Sequence, residues 1–563
     1  MKAMAYKVSR SIHALQCPER LGSFLYRQSL RRMTVCLSAT LLLFCFAGKA
    51  QEISSPVTVS VDLKKAENIL APRAFGIHTS VYDNLMQENS VAELLRKDGI
   101  YTLRYPGGGY SDMYHWSVNK LNGSKASGKP GYLAKNTDFG SFVGVLDKLH
   151  GTAVITVNYG SNLQGTGPAE PKEAAAWVAY ANGKPDDATV IGVDSTGADW
   201  KTVGYWASMR AAKPLATDDG YNFLRIAHAQ GLNIKYWEIG NELFGNGYYS
   251  RDAGGYENDL HIAYNANPKD DGKSRGHNAK LSPTAYGEGV VAFSKAMKAV
   301  DSRISIGAVL NTPPMDYSWG PNWNKEVLKA CAPAIDFVVI HWYTGNLMPP
   351  DWKELDNASL LAAPVTELPQ MIHELLTEFH DDADGKSLQF AVTELGPRPY
   401  AKITDWTTIG LFAADAYASL AEDGAVNIDW LELHSDSFLN GKDGAPEAAY
   451  FGIQMVHNLI NMRDAFVAAH SSNDLMAAHA ARRADGSVGL MLINKDPKNA
   501  ATVHVKIDGG LLGSSGTRFD WGKGAAPKGT DVQSSKQDQL GNVFTLTVPA
   551  YTATTIVIPA KSE

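Results

Sequence analysis

Between Ala74 and Leu433 a short apolar run of strand length recurs eight times: Ala74–Thr79, Tyr101–Tyr105, Ala153–Asn158, Ile234–Ile239, Ile304–Val309, Phe337–His341, Phe390–Thr393 and Ile428–Leu433. Helical patterns separate these runs, as in Ser90–Lys97, Phe139–Leu149, Pro171–Ala181, Tyr286–Val300, Pro364–Phe379 and Thr407–Asp423. Strands buried on both faces read as apolar runs, and a helix between consecutive strands makes them parallel. Eight such units predict an α/β chain whose core is a (β/α)8 TIM barrel. The rival, an open doubly wound sheet, calls for a glycine fingerprint that is missing here.

At 563 residues the chain exceeds one ordinary core. After about Ala445 the texture changes to strand patterns such as Gly486–Asn494, Ala501–Ile507, Arg518–Trp521 and Asn542–Ile558, with turns rich in Gly, Asp, Ser and Lys. This predicts a C-terminal all-β sandwich domain, which also recruits the alternating strand VTVSVDL that starts at Val57. The expected division is a leader at 1–50, a strand segment at 51–68 that joins the β-domain, the barrel at 69–444 and the β-sandwich at 445–563.

The leader carries Arg31-Arg32, the apolar run Val35–Ala47 and then Gly48-Lys49-Ala50. That order is the one a secretory signal has, with cleavage expected after Ala50 and Met1 or Met33 as the start. A secreted or periplasmic protein follows, and no later segment is apolar enough for a membrane span. Cys331 is the one cysteine beyond the leader, so neither an internal disulfide nor a cysteine metal site is expected. A net charge of −7 without long like-charge runs argues against nucleic acid as a partner. Nothing in the pattern specifies an oligomeric state.

In a (β/α)8 barrel, chemistry is done at the C-terminal ends of the strands. There the chain offers Arg104 with Gly107-Gly108-Gly109, then Asn158, Asn241-Glu242, His341-Trp342-Tyr343, Glu394, and finally Glu432 and His434. Two carboxylates at strand ends, Glu242 in IKYWEIGNELFG and Glu394 in LQFAVTELGP, suffice for glycosyl transfer to water. One protonates the leaving oxygen and the other attacks the anomeric carbon, about 5 Å away in a retaining enzyme. The glycine run lacks the Lys-Ser/Thr of a phosphate loop, and a tight turn close to a ligand explains it better. His341 has no partnered His or Asp pattern nearby, so no metal is expected, and no cofactor. The long polar insertion Ser250–Ser282 directly follows the Glu242 strand and is placed to wall the site.

Three blocks resemble glycoside hydrolase family 51, the retaining α-L-arabinofuranosidases: LRYPGGGYSDMYHW, ITVNYGSNLQGTGPAEPKEAAAWVAYAN and KYWEIGNELFG. The resemblance spans roughly Val57 to His434. It implies Glu242 as general acid/base, Glu394 as nucleophile, and Asn241 on the hydroxyl beside the anomeric carbon. Arg104 and Tyr343 would support Glu394, with Asn158, His341 and Trp342 as further substrate-binding candidates. The chain departs from the family where GIHTSVYDN follows the first strand, where Leu395 follows Glu394, and where Glu432 and His434 stand in place of an amide. The implied function is retaining hydrolysis of plant-type or bacterial polysaccharides and oligosaccharides by an α-L-arabinofuranosidase. Alternatives are a β-xylosidase, endo-β-glucanase, galactofuranosidase or β-glucuronidase of the same clan, and a carbohydrate-binding barrel without activity.

Overall fold

The computed structural model describes residues 56–121, 132–245, 282–313, 322–344, 355–397, 402–523 and 531–561. The leader, with the expected cleavage point, and nearly all of the insertion after Glu242 lie outside these residues. No helix among the described residues is long and apolar enough to cross a membrane.

Strand β1 (Val57–Ile69) precedes the barrel. The barrel strands are β2 (Phe75–His78), β3 (Thr102–Tyr105), β6 (Thr152–Val157), β7 (Tyr236–Ile239), β8 (Ser305–Val309), β9 (Phe337–Tyr343), β10 (Gln389–Gly396) and β11 (Ile428–Trp430). A small hairpin, β4 (Tyr114–His115) with β5 (Lys120–Leu121), stands between the second and third of them. The eight pair in parallel and in chain order, and β11 returns to β2 to close the ring.

Alternation along each strand sorts side chains between lumen and helix layer. Leu103 and Tyr105, Ile155 and Val157, and Trp237 and Ile239 pack outward into the main core, while Arg104, Thr156 and Glu238 from the same strands meet in the lumen. The lumen floor is apolar, with Phe337, Val339 and Ala391 packed beside Tyr236. Above it the buried charges begin, so these strands are less apolar than both-face burial would lead one to expect.

Beyond β11 comes a helix, Ala448–Leu459, in a region whose texture reads as all-β. It is buried almost all round, so no polar stripe marks it as a helix. It crosses the helix Trp406–Glu422 closely enough that a Cβ on Gly452 would lie 2.1 Å from the carbonyl oxygen of Gly410. Eight further strands follow: β12 (Ala465–Ser471), β13 (Met476–Arg482), β14 (Val488–Asn494), β15 (Ala501–Asp508), β16 (Ser515–Gly522), β17 (Gln533–Asp538), β18 (Val543–Val548) and β19 (Thr552–Ile558). With β1 they make one nine-stranded sheet, ordered β17-β16-β19-β14-β13-β12-β1-β15-β18. β1 is antiparallel to β12 and parallel to β15. Both arms of this sheet line one apolar core, in which Val59, Val503 and Leu546 meet Leu490 and Ile556.

Candidate active site

Strand β7 ends in a sharp turn. Gly240 has φ +75°, and Glu242 sits in the left-handed region at φ +47°, which is uncommon for a residue with a Cβ. The turn is held by Asp112, whose carboxylate accepts the backbone N–H groups of Asn241 (3.1 Å) and Tyr159 (3.1 Å). It leaves the Glu242 side chain partly exposed at the barrel mouth, against 7% exposure for the side chain of Glu394.

Strand β10 delivers Glu394 by a different device. Val392 pairs with Ile340 and Glu394 pairs with His341, so one extra residue, Thr393, is accommodated between them. From the lumen-facing Ala391, strict alternation would turn Thr393 inward and Glu394 outward. The bulge allows both to face the lumen, as bulges beside functional sites do. The Thr393 hydroxyl meets His341 Nε2 at 3.2 Å, and Glu394 reaches Arg104.

Arg104 is fully buried and ties the layer together. Its Nε donates to Glu238 (2.5 Å), its Nη1 to Glu394 Oε1 (2.9 Å) and its Nη2 to Asn241 Oδ1 (2.8 Å). The same Nη1 lies 2.9 Å from His78 Nδ1. Burial and the Arg104 charge push the His78 imidazole down to about 3, so it is neutral and accepts at Nδ1. The ring of His78 also explains a glycine. A Cβ on Gly107 would lie 2.3 Å from His78 Nε2, and Gly107 has φ +78°.

Burial by itself would raise the Glu394 carboxyl, but the His341 and Arg104 charges, with the Tyr343 hydrogen bond, hold it at about 2. Tyr343 donates to Glu394 Oε2 at 2.5 Å. Its phenol is pushed far up by burial and by the Glu394 charge, so it keeps its proton. His341 stands between the carboxylates, with Nδ1 2.8 Å from Glu242 Oε1 and 3.5 Å from Glu394 Oε2. Burial would lower its pKa; the charges of Glu394 and Glu242 outweigh that and raise it. Glu242, His341 and Glu394 each place one donor atom within 4.8 Å of the others, close enough to hold a cation or to share a proton.

Of the residues singled out in the sequence, Glu242, Glu394, Asn241, Arg104, Tyr343 and His341 converge. Trp342 does not: alternation turns it into the helix layer, where Nε1 donates to Glu367 (3.1 Å) and the ring packs on Phe412. Asn158 spends its side chain on Ser161 and on the Tyr114 carbonyl. Glu238, Thr156, His78, Asp112 and Thr393, which no sequence motif marks, hold the six in place. Two signals were available: Glu238 is a lone charge inside the apolar run YWEI, and Arg104 is another inside TLRY. A buried charge requires a partner.

No protein-family model matches the chain. It is 28% identical over 181 residues to a probable α-L-arabinofuranosidase C of Aspergillus fumigatus, which covers 30% of this chain and 28% of the relative. The corresponding Aspergillus niger protein is 28% identical over 177 residues. The chain thus matches under a third of the length of these relatives. In fold it is similar to α-L-arabinofuranosidase from Thermotoga maritima, at TM-score 0.63 and 17% identity over 89% of this chain and 99% of the other. It is also similar to a glycoside hydrolase family 44 xyloglucanase of Paenibacillus polymyxa, at TM-score 0.56 and 16% identity over 90% of this chain. The sequence similarity is thus partial and is to proteins named α-L-arabinofuranosidase, while the solved structures, at under 25% identity, show a shared fold over nearly the whole described chain.

Proposed function

We propose that this chain is a retaining glycoside hydrolase and, within that class, an α-L-arabinofuranosidase. The observation that carries the reading is the opposition of Glu242 and Glu394, whose carboxyl oxygens approach within 4.8 Å at the ends of β7 and β10. That spacing suits direct attack by one carboxylate and falls short of the roughly 6.5–9.5 Å separation by which an inverting pair accommodates substrate and water together.

Glu394, ionised and aimed by Arg104 and Tyr343, attacks the anomeric carbon. Glu242 gives its proton to the glycosidic oxygen, and the bond to the leaving group breaks. Glu242 then takes a proton from water, which displaces Glu394 from the glycosyl-enzyme. Asn241 presents its oxygen to Arg104, and no described protein group accepts from its amide nitrogen, so that N–H is available to a sugar hydroxyl. His341 couples the halves of the cycle: when Glu394 becomes an ester, one of the charges that raise His341 disappears. The leader at 1–50 supports export of the chain.

The test is the stereochemistry and residue dependence of turnover on aryl glycosides. Retention at the anomeric carbon is expected. Glu394→Ala should abolish turnover, and Glu242→Ala should retain it only on substrates with good leaving groups. Inversion, or undiminished hydrolysis by Glu394→Ala, would overturn the reading. Another sugar within the same mechanism is favoured by one observation, the acidic Glu432 where the family carries an amide. Arabinofuranoside, galactofuranoside, xyloside and glucoside members in the panel decide the sugar.

A further inference from the structure

The connection 183–235, between the helix Pro171–Asn182 and β7, is far longer than the roughly 2–6 residues such a turn needs. It bears five exposed large apolar side chains, Val190, Val193, Tyr205, Leu215 and Tyr221. Scattered single exposures are ordinary, but five on one connection mark an interaction surface. The first three sit on a segment bridged at Val190/Thr202 and Val193/Asp199, which leads into the helix Val203–Ala211. Asp194 holds its turn: the carboxylate accepts from the N–H groups of Thr196 and Ala198 (2.9 Å each) and from Trp200 Nε1 (2.8 Å). Trp206 Nε1 donates to the Trp200 carbonyl (2.8 Å), and its ring packs 5.0 Å from that of Trp116 in the core. Both indole N–H groups are thus spent on fixing the segment against the barrel.

The segment closes a cavity of about 180 Å³ whose wall includes Ser117, Leu163, Trp200, Tyr205, Trp206 and Tyr221. Ser117 and Leu163 lie in the connections that follow β3 and β6, so this wall belongs to the barrel face that carries Glu242 and Glu394. Ser117 is 3% exposed, and its hydroxyl has no hydrogen-bond partner among the described residues. A buried hydroxyl left unpaired costs free energy, which a ligand bearing hydroxyls of its own would recover. Tyr205 and Tyr221, 43% and 40% exposed, add ring surface that the core does not use. Tyr205 also lines a shallow groove of about 610 Å³, with Pro185, Met209 and Arg225. Lys201 at the cavity is paired with Asp199 (2.7 Å), and Arg225 in the groove with Asp219 (2.6 Å). Asp186 and Asp187 add negative charge to the groove, so neither depression attracts an anion. Aromatic rings, a waiting hydroxyl and internally matched cations suit a neutral ligand rich in hydroxyls.

We infer that this cavity and groove form a second carbohydrate-binding site, none of whose lining residues belongs to the catalytic layer. One ring of a neutral polysaccharide enters the cavity against Ser117, Tyr205 and Tyr221, and the next rings run over Tyr205 along the groove. The site makes and breaks no bond. On the hydrolase reading above, its occupant is the polymer that the barrel trims, and holding that polymer raises its effective concentration at Glu242 and Glu394. A small aryl glycoside gains nothing from it.

The test uses the whole chain, with soluble arabinoxylan as the polymer and an aryl glycoside that the enzyme cleaves as the small substrate. In a native gel, arabinoxylan should retard the Glu394→Ala protein, and adding Tyr205→Ala with Tyr221→Ala should abolish the retardation. With Glu394 intact, the same two changes should raise KM on arabinoxylan on the order of 10-fold, the worth of two ring contacts, and leave kcat/KM on the aryl glycoside unchanged. Ser117→Ala should also raise the polymer KM, while its urea midpoint holds or climbs, because the deleted hydroxyl has no partner in the fold. Absent retardation, a polymer KM unmoved by these changes, or an equal loss on the aryl glycoside would overturn the site and leave the hydrolase reading standing. So would a double variant whose only change is the loss of a dimer in sedimentation, which would make the patch a contact between copies of the chain. If the double variant fails to fold, Ser117→Ala decides. Retardation that depends on these residues, in a chain whose wild type hydrolyses no glycoside, would keep the site and overturn the hydrolase reading instead.

Discussion

Replacing Arg104 by Met keeps the length of the side chain and removes its charge from a place that water does not reach. Arg104 is the cation for two buried carboxylates at once, Glu238 and Glu394. Thr156 still donates to Glu238, and Tyr343 still donates to Glu394. Breaking a buried pair costs roughly 3–5 kcal/mol when the remaining charge stays ionised. The variant has an escape, which is to take up a proton. At pH 7 a carboxyl with an ordinary value of 4.5 is protonated at a cost of about 3 kcal/mol, and at pH 5 at under about 1 kcal/mol. The expected destabilisation is thus about 3 kcal/mol or slightly more at pH 7, shrinking by about 2 kcal/mol at pH 5. The sign follows from linkage: the variant's folded state binds a proton that its unfolded state has released at pH 7, so its stability falls as pH rises. Urea unfolding followed by tryptophan fluorescence at the two pH values measures this. A loss below about 1 kcal/mol, or one equal at both pH values, would refute the claim that Arg104 neutralises two carboxylates in a dry layer.

Two further outcomes are expected. Tyr343→Phe removes one of the groups that hold Glu394 at about 2, so the acid limb of kcat/KM should move to higher pH and kcat should drop on the order of 10-fold or more; a pH–rate profile that superimposes on wild type would refute it. His479 of β13 sits between Asp415 (2.9 Å) and Glu422 (2.9 Å) of the helix Trp406–Glu422, with Lys495 on Asp415 and with Asp423 and Glu67 acting on Glu422 or beside it. Burial would lower His479, but the Glu422 charge and the two hydrogen bonds raise it to about 10. The stability it contributes is complete below about 6.5 and is lost as pH rises toward 10, so His479→Gln should flatten the fall in urea midpoint between pH 6 and pH 9; an equal fall in both proteins would refute it.

Much was legible because period and punctuation act locally. Each of the eight expected strands overlaps an observed one, since a short apolar run between helices has few other ways to bury itself. The helix Phe139–Leu149 has its expected bounds, with Asp138 capping one end by accepting from the Ser141 N–H and His150 in the left-handed conformation at the other. The helix Ala448–Leu459 is not legible in the sequence because burial almost all round erases the periodicity by which a helix is recognised. Adjacency in the sequence sets Trp342 with His341 and Tyr343, whereas a strand sends neighbours to opposite faces.

By itself, then, the sequence determined the ring of strands, the all-β region after it, and the two strand ends that carry Glu242 and Glu394. Local patterns are enough for that, because period sets which element forms and closure of the ring sets which ends share a face. Only the tertiary structure decided how the ends function together. The bulge at Thr393 turns Glu394 inward, Arg104 reaches across the lumen to Glu238 and Glu394, and the seam at Leu431–Leu433 brings Glu432 near Glu394. Each of these depends on register between strands far apart in the chain. Register is fixed by packing and by the neutralisation of buried charge, which no single stretch of sequence contains.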